Sequence, residues 1–475
     1  MSECKELNVL LRHDFYSYVQ RVFYELGNDN FIPNWHLEVL CDTLEQVRRG
    51  EIKRLIINVP PRSLKSIVVN VAYSTWLLGH NPKERIVSAS YSSELAEKFA
   101  RDSKIIMESD WYKKIFPRST ISKSRSTASD FNTTSHGGRY TSSVDGTMTG
   151  RGGNVIIIDD PIKPSDANSE TALNKVNDWY KSTLLSRLDD PQNGVIILIM
   201  QRVHENDLTG YLLESSDEWT HIKMPEIAIN NETWHVGNKV YRRAIGRPLN
   251  ARRTDIANID TRRNELGSYV WSAQYQQEPC PAEGGIIKEE WLHYYSNEQA
   301  SHIDERKYQQ IFISWDTANK AGVNNAYSAC CVMLRIKDRA QTYLYLLDVI
   351  RGKWEMPELV RKAQEIYNKW NMNNTAVFLI EDQASGTQLK QILSSEADPN
   401  GYPYRVETVR PTTDKVSRAI GASAYIENGT ILFPDNSPVW WPEFKKELLG
   451  FPGTKYKDQV DSLSQVITYL HENTE

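Results

Sequence analysis

The fold of the first half of the chain is decided by residues 54–66, which read Arg54-Leu-Ile-Ile-Asn-Val-Pro-Pro-Arg-Ser-Leu-Lys-Ser66. The first six residues form a short apolar run that is typical of a buried β-strand. A helical candidate follows, from about residue 66 to residue 78. A phosphate-binding loop needs this placement, because its backbone N–H groups and a helix N-terminus must face the anion. The segment therefore predicts a strand, a phosphate-binding loop and a helix.

The side chains of this loop suit nucleotide binding. Lys65 would reach the β- and γ-phosphates of ATP, and the Ser66 hydroxyl would bind Mg²⁺. Arg62 and Ser63 would complete the phosphate contacts together with the N–H groups of the loop. Leu64, however, stands where a glycine normally precedes the lysine, and the first glycine of the usual motif is absent. From this loop alone, an ordinary helix start remains an alternative to an ATP site.

Two acids further along the chain support the ATP site. The apolar run 155–158, Val-Ile-Ile-Ile, ends in Asp159 and Asp160. An unbroken run of this kind is typical of a strand buried on both faces of a parallel sheet, so its end places both carboxylates beside the phosphate-binding loop. Asp159 would hold the Mg²⁺ that accompanies ATP, and Asp160 would activate the attacking water. A simple turn is the alternative interpretation of Asp-Asp-Pro.

Further apolar runs predict an α/β domain with a mostly parallel sheet between helices, as in a P-loop NTPase. Residues 85–90 and 195–200 are strand candidates of this domain. The second ends in Gln201 and Arg202, which begin the segment Gln-Arg-Val-His-Glu-Asn-Asp. Polar groups at such a strand tip can sense the γ-phosphate and pass its state to a mobile part. We assign the ATPase domain to residues 1–225.

The pattern changes in the second half of the chain. Residues 226–304 are rich in Asn, Arg, Gly and Tyr, and they predict a lid or linker subdomain. Residues 305–475 open with three closely spaced strand candidates, as in an antiparallel meander, at 311–315, 329–334 and 342–347. Helix and strand candidates then alternate towards the C-terminus. This order predicts an RNase H-like α/β domain.

Acidic residues fall at the ends of elements in this second domain. Asp316 ends the first strand and Glu381 ends a later one, while Asp458 and Asp461 share one face of the last helix at i, i+3. Carboxylates far apart in sequence can then converge on one sheet edge and hold two Mg²⁺ or Mn²⁺ ions. Such ions activate water and stabilise the leaving oxygen of a phosphodiester. One acid alone is more often a cap or a turn, but the set predicts a metal-dependent nuclease.

These motifs resemble those of the large terminase subunit of tailed bacteriophages, over about residues 34–470. The resemblance rests on Pro-Pro-Arg-Ser-Leu-Lys-Ser, on Thr-Gly-Arg-Gly-Gly-Asn-Val-Ile-Ile-Ile-Asp-Asp-Pro and on Gln-Arg-Val-His-Glu-Asn-Asp-Leu. That family tolerates a deviant phosphate-binding loop with an arginine, which accommodates Leu64. It often has two adjacent acids at its last nuclease position, so both Asp458 and Asp461 remain candidates, and we favour Asp458.

The resemblance implies an ATPase that uses ATP with Mg²⁺ to move double-stranded DNA into a procapsid, and an endonuclease that cuts concatemeric DNA. The implied partners are double-stranded DNA, a small terminase subunit, a portal protein and further copies of the chain in a ring on the portal. Arg151 matches a trans-acting arginine finger, although a surface loop arginine is the alternative. The segment 201–207 would couple hydrolysis to DNA movement. Lys415 and Arg418 fall in a stretch that could grip the DNA backbone, although a helix N-terminus of mixed charge is the alternative.

Composition sets few further limits. A chain of 475 residues is expected to form two or three domains, and its net charge of −5 leaves DNA binding to local basic groups. The cysteines are scattered without metal-ligand spacing, as suits a reducing cytosol, at positions 4, 41, 280, 330 and 331. We see no signal peptide and no apolar run of membrane-spanning length, and we expect a cytoplasmic protein with no membrane partner.

Two other functions are compatible with parts of the sequence. A helicase or repair ATPase fused to a resolvase-like nuclease would share both sites, but no helicase motif series follows Asp160. A non-catalytic scaffold that docks on the portal would need neither site. The intact acids and Lys65 argue against such a scaffold.

Overall fold

The computed structural model describes residues 2–127, 129–144, 146, 150–279, 285–295, 309–318, 327–338, 341–371, 374–382, 384–410, 413–435, 438–454 and 456–473. The chain forms two compact units. The N-terminal unit comprises Met1–Asp260 and Val270–Cys280, and the C-terminal unit comprises Thr261–Tyr269 and Pro281–Glu475. The division into three domains at residues 225 and 304 stays a prediction.

The strands of the N-terminal unit are β1 (Arg54–Asn58), β2 (Arg85–Ser90), β3 (Ile121–Ser126), β4 (Phe131–Thr133), β5 (Gly138–Ser143), β6 (Val155–Asp159), β7 (Val195–Met200), β8 (Thr220–Lys223), β9 (Glu232–Val236) and β10 (Lys239–Arg243). The α-helices of the first half are α1 (Ser2–His13), α2 (Phe15–Glu25), α3 (Trp35–Arg48), α4 (Ser74–His80), α5 (Ser93–Glu108), α6 (Asp110–Ile115), α7 (Glu170–Trp179), α8 (Leu208–Ser215) and α9 (Ile256–Val270). Helix α9 includes residues of both units and is interrupted at Gly267, whose φ is 72°.

One eight-stranded sheet organises the N-terminal unit, in the order β3-β4-β5-β2-β6-β7-β1-β8. Six neighbouring strands of this sheet pair in parallel, in the order β5-β2-β6-β7-β1-β8. Strands β3 and β4 add an antiparallel edge, and β9 and β10 form a separate hairpin. Because β1, β6 and β7 are parallel neighbours, their carboxyl ends meet at one edge of the sheet.

The parallel strands are buried on both faces, as their unbroken apolar sequences predict. In β6, Ile157 packs into the core on one side of the sheet, whereas Ile156 and Ile158 pack into the core on the other side. All three side chains have no exposed surface. Burial on this scale, about 25 cal/mol for each Å² of apolar surface, makes the central strands the rigid support of whatever lies at their ends.

The helix predicted after the phosphate-binding loop forms in an unexpected way. Its first part, Ile67–Tyr73, is a π-helix, and α4 continues from it. The sequence Ile-Val-Val-Asn-Val-Ala-Tyr is rich in β-branched residues, which are weak formers of an α-helix. Wide turns of this kind are frequent at functional sites.

The C-terminal unit contains a second sheet, built from β11 (His293–Tyr295), β12 (Gln309–Asp316), β13 (Ser328–Asp338), β14 (Gln341–Gly352), β15 (Ala376–Glu381), β16 (Val406–Val409) and β17 (Ile431–Pro434). Its helices are α10 (Met356–Trp370), α11 (Ala384–Ser394), α12 (Lys415–Glu427), α13 (Trp441–Gly450) and α14 (Asp458–Glu472). The strand order is β11-β17-β14-β13-β12-β15-β16.

Strands β12, β13 and β14 form the antiparallel meander that their spacing predicts, and β15 then pairs in parallel with β12. Helix α14 packs against β12 and β13. The carboxyl ends of β12 and β15 therefore lie side by side, and the first turn of α14 brings further acids to them. In the described part of the chain, no helix is both long and apolar enough to cross a membrane.

Candidate active sites

The backbone of the phosphate-binding loop follows β1 and adopts the left-handed conformation at two residues that are not glycine. Arg62 has a φ of 60° and Leu64 has a φ of 62°. Leu64 thus takes the conformation that the missing glycine would adopt easily, at a cost on the order of 1–3 kcal/mol. Residues held in this conformation occur most often at functional sites, and here the loop adopts it without the usual glycine pattern.

The side chains of Lys65 and Ser66 both turn towards the acids at the end of β6. The Nζ atom of Lys65 lies 3.1 Å from Oδ1 of Asp160, and its side chain is only 6% exposed. No acceptor among the described residues meets this ammonium with hydrogen-bond geometry. The Oγ atom of Ser66 donates to Oδ1 of Asp159 at 3.0 Å. The structure therefore brings together the four residues predicted to handle the phosphates, the Mg²⁺ and the water.

Asp159 is fully buried, and its surroundings raise its pKa. Burial is the main cause, the charge of Asp160 adds to it, and the pKa rises to about 7. Hydrogen bonds from Asn70 and Ser66 and the charge of Lys65 act in the opposite direction. Carboxylate and hydroxyl oxygens are the ligands that Mg²⁺ prefers, so Asp159 and Ser66 fit that ion.

Asp160 links the acid pair to the segment that follows β7. Its backbone has a φ of 42°, and its Oδ1 accepts a hydrogen bond from the backbone N–H of Gln201 at 3.1 Å. Arg202 donates from Nε to both carboxylate oxygens of Asp207 at 3.0 Å. Asp207 also caps α8 by accepting from the N–H of Gly210. These hydrogen bonds connect Asp160 to the turn 201–207 and to α8.

The other predicted residues of the ATP site lie less close to the acids. Arg62 is exposed, and Ser63 is buried with its carbonyl 3.4 Å from Nε2 of His36. Arg151 forms an ion pair with Asp130 and lies over the ring of Tyr140 at 5.7 Å. Among its described contacts, none is with the phosphate-binding loop of its own chain.

Two residues of this site carry no sequence signal. Asn70, in the π-helix, donates from Nδ2 to Oδ2 of Asp159 at 3.0 Å. Arg139, in β5, donates from Nη2 to Oδ1 of Asn70 at 2.6 Å. Neither lies in a motif, and their roles depend on contacts between distant segments. The single hint in the sequence is a polar residue within an apolar run.

The second site lies at the ends of β12 and β15. Asp316, Glu381 and Asp461 each offer a carboxylate oxygen, and these atoms lie within 4.8 Å of one another. Burial is the main cause that raises the pKa of Asp316 to about 7. The charge of Lys415 opposes this rise, whereas the charges of Asp461 and Asp458 add to it. Burial also raises the pKa of Glu381. Clustered carboxylates with little exposure are the donor set that a divalent cation requires.

Lys415 and Arg418, predicted to grip DNA, both lie against these acids. The Nζ atom of Lys415 is 2.7 Å from Oδ2 of Asp316 and 3.0 Å from Oδ2 of Asp461. Burial alone would lower the pKa of Lys415, but the two carboxylates outweigh it and raise that pKa. Arg418 is buried and donates from Nη2 to both oxygens of Asp461 at 2.8 Å. The two cations offset the repulsion between the carboxylates.

The structure distinguishes the two acids of α14. Asp461 belongs to the three-acid cluster, whereas Asp458, which we favoured, lies beside it with Oδ1 3.5 Å from Nζ of Lys415. Helix α14 is held at its first turn by Glu447 of α13. Glu447 accepts from the N–H groups of Gln459 and Val460 at 2.8 and 3.1 Å. This contact, which the sequence does not reveal, anchors the turn of α14 that carries both acids.

Known proteins match the C-terminal part of the chain in sequence and most of the chain in structure. Residues 313–470 match the family model described as the terminase RNaseH-like domain. A structure of the large terminase from the thermophilic bacteriophage D6E aligns with a TM-score of 0.51 at 11% identity, over 92% of this chain and 98% of that chain. A structure of the same terminase in complex with ADP aligns with a TM-score of 0.50 at 10% identity, over 91% and 98%. No curated protein matches the chain.

The chain has the fold of a phage large terminase. The resemblance predicted from the motifs is confirmed. The predicted α/β fold class is confirmed as well, since a unit with a mostly parallel sheet precedes an RNase H-like unit. At 10–11% identity, these alignments show the fold alone.

The cap on α14 in this terminase fold can be tested by Glu447→Gln. Glu447 is 4% exposed and also accepts from Nη1 of Arg351 at 3.2 Å, so the neutral amide would face several donors. We expect a loss of stability of about 1–3 kcal/mol, measured by thermal melting of the full chain. The matched control is Glu443→Gln, since Glu443 pairs with the same Arg351 but is 64% exposed. The control should change stability by less than about 0.5 kcal/mol. Equal losses in both variants would contradict the cap.

Proposed function

We propose that this chain is the large subunit of a phage DNA-packaging motor. Its N-terminal unit would hydrolyse ATP to move double-stranded DNA into a procapsid, and its C-terminal unit would cut concatemeric DNA. The observation that carries the proposal is the presence of two separate sites in one chain. One places Lys65 and Ser66 against Asp159 and Asp160, and the other gathers three carboxylates within 4.8 Å.

The residues of the first site divide the work of ATP hydrolysis. The loop N–H groups, Arg62, Ser63 and Lys65 would bind the phosphates, and Lys65 would turn from Asp160 to the β- and γ-phosphates. Ser66 and Asp159 would hold Mg²⁺, which neutralises charge that develops on the phosphoryl group. Asp160, once released from Lys65, would accept a proton from the attacking water. Asp160 accepts a hydrogen bond from the backbone N–H of Gln201. This contact supports a coupling role for Gln201 and for Arg202, the next residue in the chain.

The residues of the second site support metal-dependent hydrolysis of a phosphodiester. Asp316, Glu381 and Asp461, with Asp458 beside them, would hold two Mg²⁺ or Mn²⁺ ions, which activate water and stabilise the leaving oxygen. Lys415 and Arg418 would then be the nearest cations to the scissile phosphate. Lys415 is 39% exposed and could turn to the DNA backbone, whereas the buried Arg418 orients Asp461.

The proposed motor function implies further copies of the chain and other proteins as partners. Arg151 is 40% exposed and its contacts lie outside the phosphate-binding loop of its own chain, which suits a finger that reaches the nucleotide of a neighbouring copy in a ring. A small terminase subunit and a portal protein would complete the assembly in the host cytoplasm. Residues 226–304 would act as a lid and linker between an ATPase domain at 1–225 and a nuclease domain at 305–475.

The division of labour can be tested with one substitution in each site. Asp316→Ala removes a metal ligand and should abolish cleavage of plasmid DNA with Mn²⁺ while ATP hydrolysis continues. Lys65→Ala removes the cation of the phosphate-binding loop and should lower ATP hydrolysis on the order of 100-fold or more while cleavage continues. Phosphate release and plasmid nicking by the purified chain provide the two measurements.

The same assays separate the alternatives. Loss of both activities in either folded variant would contradict two independent sites. A wild-type chain that neither hydrolyses ATP nor nicks plasmid would favour the portal-docking scaffold. ATP-driven strand separation on a forked duplex, in the absence of packaging into procapsids, would favour the helicase or repair ATPase.

The choice between Asp461 and Asp458 as the principal ligand needs its own comparison. Asp461→Asn should weaken Mn²⁺ binding, measured by calorimetry, about 10-fold more than Asp458→Asn, because Asp461 shares the cluster with Asp316 and Glu381. Melting curves would verify that Asp461→Asn remains folded although it loses part of its pairing with Arg418. A larger effect of Asp458→Asn would restore the preference derived from the sequence.

A further inference from the structure

Arg139 is a fully buried arginine of β5 that no motif identifies. Its side chain has no exposed surface, and its single described hydrogen bond runs from Nη2 to Oδ1 of Asn70 at 2.6 Å. Within the described part of the chain, Nε and Nη1 have no hydrogen-bond partner. A guanidinium buried in this way is unfavourable unless neighbouring charges compensate for its loss of water. Its presence therefore calls for a role in the electrostatics of its surroundings.

Those surroundings are acidic. Burial lowers the pKa of Arg139 to about 10, while the charges of Asp159, Asp102 and Asp130 act to raise it, so the group is still a cation at neutral pH. Of these three acids, Asp159 has the largest effect on the pKa of Arg139, and it is itself fully buried. Arg139 and Asp159 lie on opposite sides of the Asn70 amide. The amide accepts a hydrogen bond from Arg139 and donates one to Asp159.

The orientation of the Asn70 amide is determined by its acceptor side. Its Oδ1 accepts from Arg139 at 2.6 Å and from Oγ of Ser88 at 2.8 Å. With Oδ1 held by two donors, Nδ2 must face Asp159, where it donates to Oδ2 at 3.0 Å. The opposite orientation would place an oxygen against the carboxylate and an N–H₂ group against a guanidinium. Arg139 thus excludes the alternative rotamer of the amide.

The carboxylate of Asp159 is consequently held at both of its oxygens. Ser66 donates to Oδ1, and Asn70, four residues later on the π-helix, donates to Oδ2. With both oxygens hydrogen-bonded, the carboxylate cannot rotate freely, and its remaining lone pairs point in fixed directions. A metal ligand whose orientation is fixed by such partners binds its ion more tightly than one that has to be ordered on binding.

Resting on the proposed ATPase function, we infer that Arg139 and Asn70 are positioning residues of the ATP site, which orient Asp159 towards the Mg²⁺ of the bound nucleotide. Neither residue would touch the nucleotide. Their removal should therefore affect the metal-dependent part of binding and turnover, and it should leave metal-free nucleotide binding unchanged. Partners of this kind typically account for about 10–100-fold in metal affinity or activity.

The test compares Arg139→Gln, Asn70→Ala and the double variant with the wild-type full chain. Mn²⁺ affinity in the presence of a non-hydrolysable ATP analogue is measured by electron paramagnetic resonance, and analogue affinity without metal by fluorescence. We expect Mn²⁺ affinity to fall about 10–100-fold in each single variant. The Mn²⁺ affinity of the double variant should be no lower than that of the single variants, because both residues act through one hydrogen bond to Asp159. Arg139→Lys, which keeps the charge and one donor, should recover part of the loss.

The control matches the cost of a lost buried hydrogen bond. Tyr112→Phe removes a fully buried hydroxyl of the same unit that donates to the carbonyl of Thr75 at 2.8 Å, and it lies outside the Asp159 network. Its Mn²⁺ affinity should stay within about twofold of wild type. If Arg139→Gln does not fold, Asn70→Ala and Asn70→Leu carry the test, since Asn70→Leu removes the donor at similar size without adding a charge beside Asp159.

Two results would overturn the inference. One is a folded Asn70→Ala or Arg139→Gln variant with wild-type Mn²⁺ affinity. The other is a loss of analogue binding that is equally large without metal, which would indicate a general structural role. A wild-type chain that binds no nucleotide contradicts the ATPase proposal itself, so the two failures are distinguishable.

Discussion

The burial of Asp159 at the end of β6 is the constraint on which the N-terminal site depends. A carboxylate without water around it is strongly unfavourable unless donors and cations replace the lost hydration. Ser66, Asn70 and Lys65 supply that replacement, and all three follow β1 within a dozen residues. The same groups are suited to an anionic nucleotide and its divalent cation.

The C-terminal unit meets the same constraint with a different solution. Its acids come from two strand ends and a helix, and its cations come from a single helix, α12. Arg418 occupies one side of the Asp461 carboxylate, while Lys415 bridges Asp461 and Asp316. A carboxylate has about four lone-pair sites, so Asp461 can hold its arginine and still offer an oxygen to a metal. The arrangement keeps three acids together before any metal binds.

The strand ends of both sites could be predicted from the sequence, because the unbroken apolar runs identify central strands and the acids come directly after them. What the sequence could not supply are contacts across long separations. Asn70 meets Arg139, Glu447 caps a helix from another helix, and no local pattern records either contact. The preference for Asp461 over Asp458 has the same origin. Both share one face of α14, and only the packing of that helix decides which acid reaches Glu381.

The pairing of Arg151 with Asp130 bears on how a trans-acting arginine could work. In the proposed ring, Arg151 would have to release Asp130 before it could pair with a neighbour's nucleotide. Arg151 is 40% exposed, but the side chain of Asp130 is only 8% exposed, so release of this ion pair would leave a largely buried carboxylate and would cost more than release of a surface pair. Asp130 would not be left without a partner, since its Oδ1 accepts from the N–H of Thr141 at 3.1 Å. The hydrogen bond from Thr141 of β5 thus compensates part of that cost, and the phosphate contact of a trans-acting arginine would have to compensate the rest.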